Sequence, residues 1–101
     1  MVKHVVMWKF KEIGERNSKA QNLEIAKSKL MGLKDTIPQI QSISVGQNLN
    51  SDSSTYDLVL IADFNSKEDL DAYIENPEHA KVSAFLKKVK IGRICIDYNV
   101  D

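Results

Sequence analysis

The chain of 101 residues has one cysteine, two prolines and two histidines, and these low counts exclude several classes of protein. A single cysteine, Cys95, excludes an intrachain disulfide and a metal centre built on several cysteines. We expect Cys95 to be a small buried hydrophobic residue in the last strand. The histidines, His4 and His79, are too few ligands for a closed zinc site. The sequence therefore predicts no metal site and no organic cofactor.

The chain also lacks long hydrophobic runs and an excess of charge of either sign. No apolar run is long enough to span a bilayer, and Lys3 and Lys9 interrupt the N-terminal apolar residues, unlike in a secretion signal. With 14 basic and 14 acidic residues, there is no basic excess for nucleic acid or for a lipid surface. We therefore expect a cytoplasmic protein with one domain, residues 1–101, for which oligomerisation would add stability.

Four segments rich in β-branched and aromatic residues predict strands. They cover Val2–Phe10 and residues 40–45, 56–64 and 93–98. Polar residues fill the segments 12–17 and 46–55, which we predict to be a loop and an exposed hairpin loop.

Apolar residues at three- and four-residue steps predict three helices between these strands. The first covers residues 18–31 and ends at Gly32 and Pro38. The second is short, with an apolar stripe of Leu70, Tyr73 and Ile74. The third is Pro77–Val89, and its predicted inward residues are Val82, Phe85, Leu86 and Val89. The order β-α-β-β-α-α-β predicts an α+β, ferredoxin-like, four-stranded antiparallel sheet with helices on one face.

The central predicted strands are apolar on both faces. In residues 56–64, Leu58 and Leu60 alternate with Val59 and Ile61. Helices cover only one face of such a sheet, so the other face would expose a contiguous apolar patch. Homodimerisation through that sheet face is the simplest solution, and a lipid or apolar ligand lying on it is the alternative.

The junction between the second and third helices carries the strongest candidate for chemistry. Asn76 is a good N-cap, Pro77 suits the first helical position, and His79 falls in the first turn. The partial positive charge of a helix N-terminus favours a neutral imidazole that can accept a proton. Together with Tyr73 on the preceding helix, His79 could perform acid–base chemistry. The alternative is that both residues serve packing and capping only.

Several segments resemble the stress-response A/B barrel, or Dabb, domain. They are VKHVVMWKFK at residues 2–11, IPQI at 37–40, YDLVL at 56–60, YIENPEH at 73–79 and DY at 97–98. The resemblance covers nearly the whole chain and implies a ferredoxin-like subunit that forms a dimeric α+β barrel. Many members of this family have no assigned reaction, and plant members are associated with stress responses. The wider superfamily includes cofactor-free monooxygenases and haem-degrading enzymes.

One plant branch of this family consists of polyketide cyclases, and the resemblance implies site residues. In that branch a tyrosine and a histidine spaced as Tyr73 and His79 form the catalytic pair, and a histidine matching His4 lines the pocket. This chain differs at Asn76, where histidine is more usual, and at Leu58, where the cyclases have a polar residue.

We therefore predict a homodimeric Dabb domain of unassigned activity that binds a small apolar or carbonyl-containing ligand between sheet and helices. The predicted pocket residues are His4, Val6, Trp8, Leu58, Leu60, Phe85 and Arg93. The alternative is a cofactor-free, polyketide-cyclase-like enzyme. In it, His79 is the general base and Tyr73 donates a hydrogen bond to the enolate. Structural roles remain open: a core position for Tyr73 and Trp8, and pairing of Arg93 with Asp97 or solvent.

Overall fold

A computed structural model describes residues 1–50, 52 and 54–100. The elements, in chain order, are β1 (Val2–Phe10), β2 (Ile13–Gly14), β3 (Asn17–Ser18), α1 (Lys19–Thr36), β4 (Ser42–Gln47), β5 (Leu58–Phe64), α2 (Lys67–Glu75), α3 (Pro77–Val89) and β6 (Lys90–Asn99).

The main sheet has four antiparallel strands in the order β4-β5-β1-β6. The first and last long strands of the chain are therefore neighbours, and β6 lies at one edge. Together with three helices this is the α+β, ferredoxin-like fold that the sequence predicts. None of the described helices is long and apolar enough to cross a membrane.

The core lies between the sheet and the helices because side chains alternate along each strand. In β1 every second residue from Val2 to Phe10 is buried, and in β5 the same holds from Leu58 to Phe64. The helices add Leu23, Ala26, Leu30, Leu33, Leu70, Val82, Leu86 and Val89 to this layer. One face of the sheet is thus packed under helices, as its alternating pattern requires.

The segment predicted as a loop at residues 12–17 contains a short hairpin, β2–β3, in the structure. Its turn places Glu15 at φ 50° and Arg16 at φ 65°, a left-handed conformation that matches the twist of tight hairpins. Gly14 suits this position because an added Cβ would lie 3.2 Å from Cγ1 of Val89, closer than an ordinary van der Waals contact. The buried Asn22 side chain donates to the Gly14 carbonyl and fixes the hairpin against α1.

The predicted end of the first helix is wrong, because α1 continues through Gly32 to Thr36. The helix begins with a reciprocal capping box between Ser18 and Gln21. A Cβ at Gly32 would meet nothing within 4 Å, so this glycine faces open space and only weakens the helix locally. Ile37, which precedes Pro38, is extended and ends the helix.

Several other predicted boundaries shift. The second long strand covers Ser42–Gln47, so Gly46 and Gln47 belong to β4 rather than to the predicted loop at 46–55. Two positions of that loop, Ser51 and Ser53, lie outside the described residues. The third long strand, β5, begins at Leu58 rather than at residue 56. The last strand, β6, is longer than predicted and covers Lys90–Asn99.

Two residues predicted to face inward are more exposed than expected. Ile74 is 44% exposed, so the buried stripe of α2 consists of Leu70 and Tyr73. Phe85 is half-buried, and Nζ of Lys29 lies 5.6 Å from its ring centroid.

Candidate functional site

His4 is held in the inward-facing row of β1 by the register of the sheet. It pairs with Ala62 of β5 on one side and with Asp97 of β6 on the other. Its side chain is buried, and Nδ1 lies 2.5 Å from Oδ1 of Asp97. The carboxylate therefore orients the imidazole, which leaves the other ring nitrogen on the side away from Asp97.

Tyr73 and His79 are brought together by the break between α2 and α3. Asn76 ends one helix and begins the next: its N–H donates to the Tyr73 carbonyl, and its Oδ1 accepts from the Glu78 N–H at 2.8 Å. Pro77 occupies the first position of α3, where a missing N–H costs nothing. The chain bends at this point, and the rings of Tyr73 and His79 meet edge to face with centroids 4.6 Å apart.

These three side chains border one cavity of about 240 Å³ between the sheet and the helices. The His4 and Tyr73 rings are 5.8 Å apart between centroids, in an edge-to-face arrangement. The full lining is His4, Val6, Trp8, Leu30, Leu60, Tyr73, His79, Val82, Ser83, Leu86, Lys87, Lys90 and Arg93. The wall is therefore mixed: six of these residues are apolar, and the other seven are polar or ionisable groups that could fix a ligand.

Burial controls the ionisation of the two aromatic residues. It raises the pKa of Tyr73 to about 12, an effect that Arg93 partly offsets and Cys95 reinforces. Burial also lowers the pKa of His79, and electrostatic interactions with His4 and Arg93 lower it further, while a hydrogen bond with the backbone of Ile74 opposes the change. At neutral pH the cavity thus contains a protonated phenol and a neutral imidazole, a donor and a proton acceptor.

Most residues predicted for the pocket lie at this cavity, but two do not. Val6, Trp8, Leu60 and Arg93 line it together with the three ring residues already described. Leu58 is buried beside Trp8 in the strand register, outside the lining. Phe85 is also outside, because it lies on the side of α3 that contacts Lys29 of α1.

Sequence analysis missed several polar residues at the site. Ser83 and Lys87 follow His79 at steps of four residues, so helical spacing alone places them on the same face of α3. Lys90 adds a third cation to the lining, together with Lys87 and Arg93. The sequence suggests Asp97 as a partner of Arg93, whereas in the structure its carboxylate contacts Nδ1 of His4.

Cys95 is exposed rather than buried, and it lies beside the His4–Asp97 pair. Its Sγ is 3.7 Å from Nδ1 of His4 and 3.8 Å from Oδ1 of Asp97. Burial of part of the thiol and the charge of Asp97 raise its pKa, and Arg93 opposes this. From the sequence alone, His4 and His79 are too few ligands for a closed zinc site. Among the described residues, the structure instead groups His4, Cys95 and Asp97 with their ligand atoms within 4.8 Å.

Comparisons with known proteins agree with this architecture. The family model of the stress responsive A/B barrel domain matches residues 2–100. No curated protein matches the sequence significantly.

Solved structures match over nearly the whole chain. A dimeric protein of unknown function with a ferredoxin-like fold from Bacteroides fragilis is 29% identical, with a TM-score of 0.86 and coverage of 98% of this chain and 95% of that one. A dimeric ferredoxin-like protein of unknown function from Thermobifida fusca is 18% identical, with a TM-score of 0.82 and coverage of 98% and 90%. A hydroxynitrile lyase from Passiflora edulis is 13% identical, with a TM-score of 0.82 and coverage of 99% and 93%. At the last two identities the similarity concerns the fold alone.

Proposed function

The chain belongs to the stress responsive A/B barrel (Dabb) family, and we propose that its cavity binds a small carbonyl-containing ligand between sheet and helices. The observation that carries this proposal is the convergence of His4, Tyr73 and His79 on one cavity. The protonated phenol of Tyr73 is a suitable donor to a carbonyl oxygen, while the apolar part of the lining suits the carbon skeleton of the ligand.

The size and lining of the cavity limit the ligand. A volume of about 240 Å³ is below the usual range for drug-sized ligands, which is roughly 300–1,000 Å³. Lys87, Lys90 and Arg93 are part of its lining, so the ligand can also carry a carboxylate or a polarised carbonyl. Short β-keto acids, esters and thioesters meet both conditions.

Trp8 provides a direct binding assay, since it is the only tryptophan in the chain and lines the cavity. Titration of the protein with β-keto compounds should change the Trp8 fluorescence in a saturable way. The same titration with Tyr73→Phe should give weaker binding of the carbonyl compounds. Lys81→Gln is the matched control, because Lys81 is exposed on α3 and pairs with Glu78 away from the cavity. A fluorescence response that does not saturate, or that is identical in Tyr73→Phe, would argue against this site.

The second candidate is a cofactor-free enzyme, favoured by the contact between the Tyr73 and His79 rings. His79 would remove a proton from the carbon next to the carbonyl, and the electron pair of the broken C–H bond would move onto the carbonyl oxygen. Tyr73 would hydrogen-bond the resulting enolate oxygen. Attack of the enolate carbon on a second carbonyl of the same molecule would then close a ring, and His79 would return its proton to the new alkoxide.

Proton exchange separates the enzyme from a simple binding protein. In D₂O, an enzyme of this kind should accelerate incorporation of deuterium at the α carbon of a bound ketone, followed by NMR. His79→Gln should abolish the acceleration while leaving the Trp8 binding signal, because glutamine preserves a polar side chain but cannot act as the base. Binding without accelerated exchange in the parent protein would leave only the ligand-binding function.

We further propose that the protein is a homodimer through the outer face of the sheet. That face contains Val5, Met7, Val59, Ile61, Ile94 and Ile96, which are neighbours in the strand register. Ile94 and Ile96 are 47% and 61% exposed, although such residues usually require a partner surface. The similarity to dimeric proteins from B. fragilis and T. fusca supports a homodimer, and the exposed apolar residues suggest this face as its interface.

Sedimentation measurements test this interface. Ile94→Lys should convert a dimer to a monomer, because it buries an unpaired charge in the apolar contact. Ile13→Lys is the matched control, since Ile13 is 74% exposed but lies on the β2–β3 hairpin outside the main sheet. An Ile94→Lys protein that sediments as the parent dimer would place the interface elsewhere.

A further inference from the structure

A cluster of three different metal-ligating groups lies beside the cavity and is not used by the proposed proton transfer. His4, Cys95 and Asp97 come from two neighbouring strands, and the register places all three on the inward face. Their ligand atoms lie within 4.8 Å of one another. We propose that His4, Cys95 and Asp97 form a three-ligand site for a divalent transition metal, with zinc as the preferred ion.

The distances within the cluster fit a metal. Tetrahedral zinc, with bonds of about 2.0–2.1 Å to nitrogen and about 2.3 Å to sulfur, separates its N and S ligand atoms by about 3.5 Å. The Sγ atom of Cys95 lies 3.7 Å from Nδ1 of His4 and 3.8 Å from Oδ1 of Asp97, close to that separation. Only the His4–Asp97 contact of 2.5 Å is too short. It must widen by somewhat less than 1 Å when the metal replaces the proton between the two groups, since tetrahedral N and O ligands lie about 3.3 Å apart.

The difference in burial between His4 and Asp97 allows the contact to widen by movement of Asp97. His4 is fixed in the core, whereas the Asp97 side chain is 35% exposed and lies on the edge strand β6. A carboxylate at that position can rotate away from the imidazole without disturbing the core. The metal would thus bind by displacement of Asp97 alone.

The charges and donor types also suit zinc. A thiolate from Cys95 and a carboxylate from Asp97 neutralise a divalent ion, so the complex has no net charge. This neutrality limits the repulsion from Arg93, the cation that interacts with Cys95. Imidazole and thiolate favour zinc and its transition-metal neighbours over magnesium or calcium, which prefer oxygen ligands. Three protein ligands leave a fourth position for water or for a ligand oxygen, as in catalytic zinc sites.

Cobalt(II) is the probe, because its d–d absorption reports tetrahedral geometry and its charge-transfer absorption reports a sulfur ligand. Untagged protein, treated with a chelator and kept reduced, should develop both absorptions on titration with Co²⁺, and Zn²⁺ should displace them. Cys95→Ser should remove the charge-transfer band, and Asp97→Asn should weaken Co²⁺ binding by more than about tenfold, the low end of the losses seen even for outer-shell partners of metal sites.

Asp71→Asn is the matched control, because Asp71 is an exposed carboxylate on α2 that pairs with Lys67. It should bind Co²⁺ as the parent protein does. Thermal melting checks that each variant is folded, which we expect because Cys95 and Asp97 are at the surface. Absence of Co²⁺ binding at millimolar concentration, or an unchanged charge-transfer band in Cys95→Ser, overturns the proposal. Either result leaves the exchange experiment intact, because that experiment depends on His79.

Discussion

The ionisation of Tyr73 is set mainly by the burial of its phenol. Its side chain is 1% exposed, and burial raises its pKa from 10.0 to about 12. Two pKa units correspond to about 2.7 kcal/mol in favour of the neutral phenol. At pH 10, a group with that pKa is about 1% ionised, whereas an ordinary tyrosine with a pKa of 10 is about half ionised.

The absorbance of tyrosinate in the near ultraviolet measures this difference without exposing the protein to extreme pH. At pH 10, the parent protein and Tyr73→Phe should show the same tyrosinate absorbance within error, because the phenol that is removed is not ionised. N-acetyltyrosinamide calibrates the signal of one phenol, and circular dichroism confirms that both proteins are folded at this pH. A difference of about half a tyrosinate between the two proteins would refute the argument that burial controls this phenol.

The same substitution has a calculable effect on the proposed reaction. A hydrogen bond to a charged oxygen contributes about 1.5–3 kcal/mol. Loss of the Tyr73 hydroxyl should therefore reduce the rate of α-proton exchange by roughly 10- to 150-fold, since 1.36 kcal/mol is a factor of ten. Exchange at the parent rate in Tyr73→Phe would show that Tyr73 is a core residue with no role at the enolate.

Three further predictions concern stability, and urea denaturation measures each. Because folding lowers the pKa of His79, the unfolded chain binds more protons just below pH 6.5, so stability should fall as the pH drops below that value. His79→Gln should lose this part of the pH dependence, and an unchanged slope would contradict the assignment. Asn76→Ala should destabilise the protein by about 1 kcal/mol through loss of the α3 cap, and no change would show that the cap is dispensable. Leu60→Ala should cost about 2–5 kcal/mol because Leu60 is fully buried in β5, and a smaller loss would mean that the adjacent cavity collapses around it.

The fold was predictable because its signals are local. Strand β1 alternates without a glycine or proline, so its predicted and observed bounds coincide at Val2–Phe10. The end of α1 was not predictable in the same way. Gly32 carries a helix penalty of about 1 kcal/mol relative to alanine, but Leu33 is buried one residue later and holds the helix together through tertiary packing.

In the candidate site too, the features with a local sequence signal were predictable and those that depend on strand pairing were not. The cap at Asn76 and Pro77 is a local signal, and it led directly to Tyr73 and His79. The partnership of His4 with Asp97 depends instead on pairing between strands 93 residues apart, and no local pattern specifies that register.

Helical phase explains why Phe85 was misplaced. A helix that packs on a sheet beside another helix has two inward directions, one toward its neighbour and one toward the sheet. Phe85 points toward the neighbouring helix, where Nζ of Lys29 lies over its ring. Ser83 and Lys87 point toward the sheet and line the cavity. Hydrophobicity alone predicts that Phe85 lines the cavity, whereas helical spacing from His79 predicts Ser83 and Lys87.

The edge strand β6 links the cavity and the proposed dimer face through a single register. Its residues alternate, so Arg93, Cys95 and Asp97 face inward while Ile94 and Ile96 face outward. A slip of one residue would exchange the two sets and place charges on the apolar face.

The register changes once, at a bulge opposite Lys9 and Phe10, where β6 contains Gly92. A Cβ at Gly92 would lie 3.1 Å from the Tyr56 hydroxyl oxygen, so the glycine leaves room for the Tyr56 side chain beside β6. Beyond this bulge a single register holds Cys95 opposite Val6 and Asp97 opposite His4, the arrangement on which the proposed metal site depends.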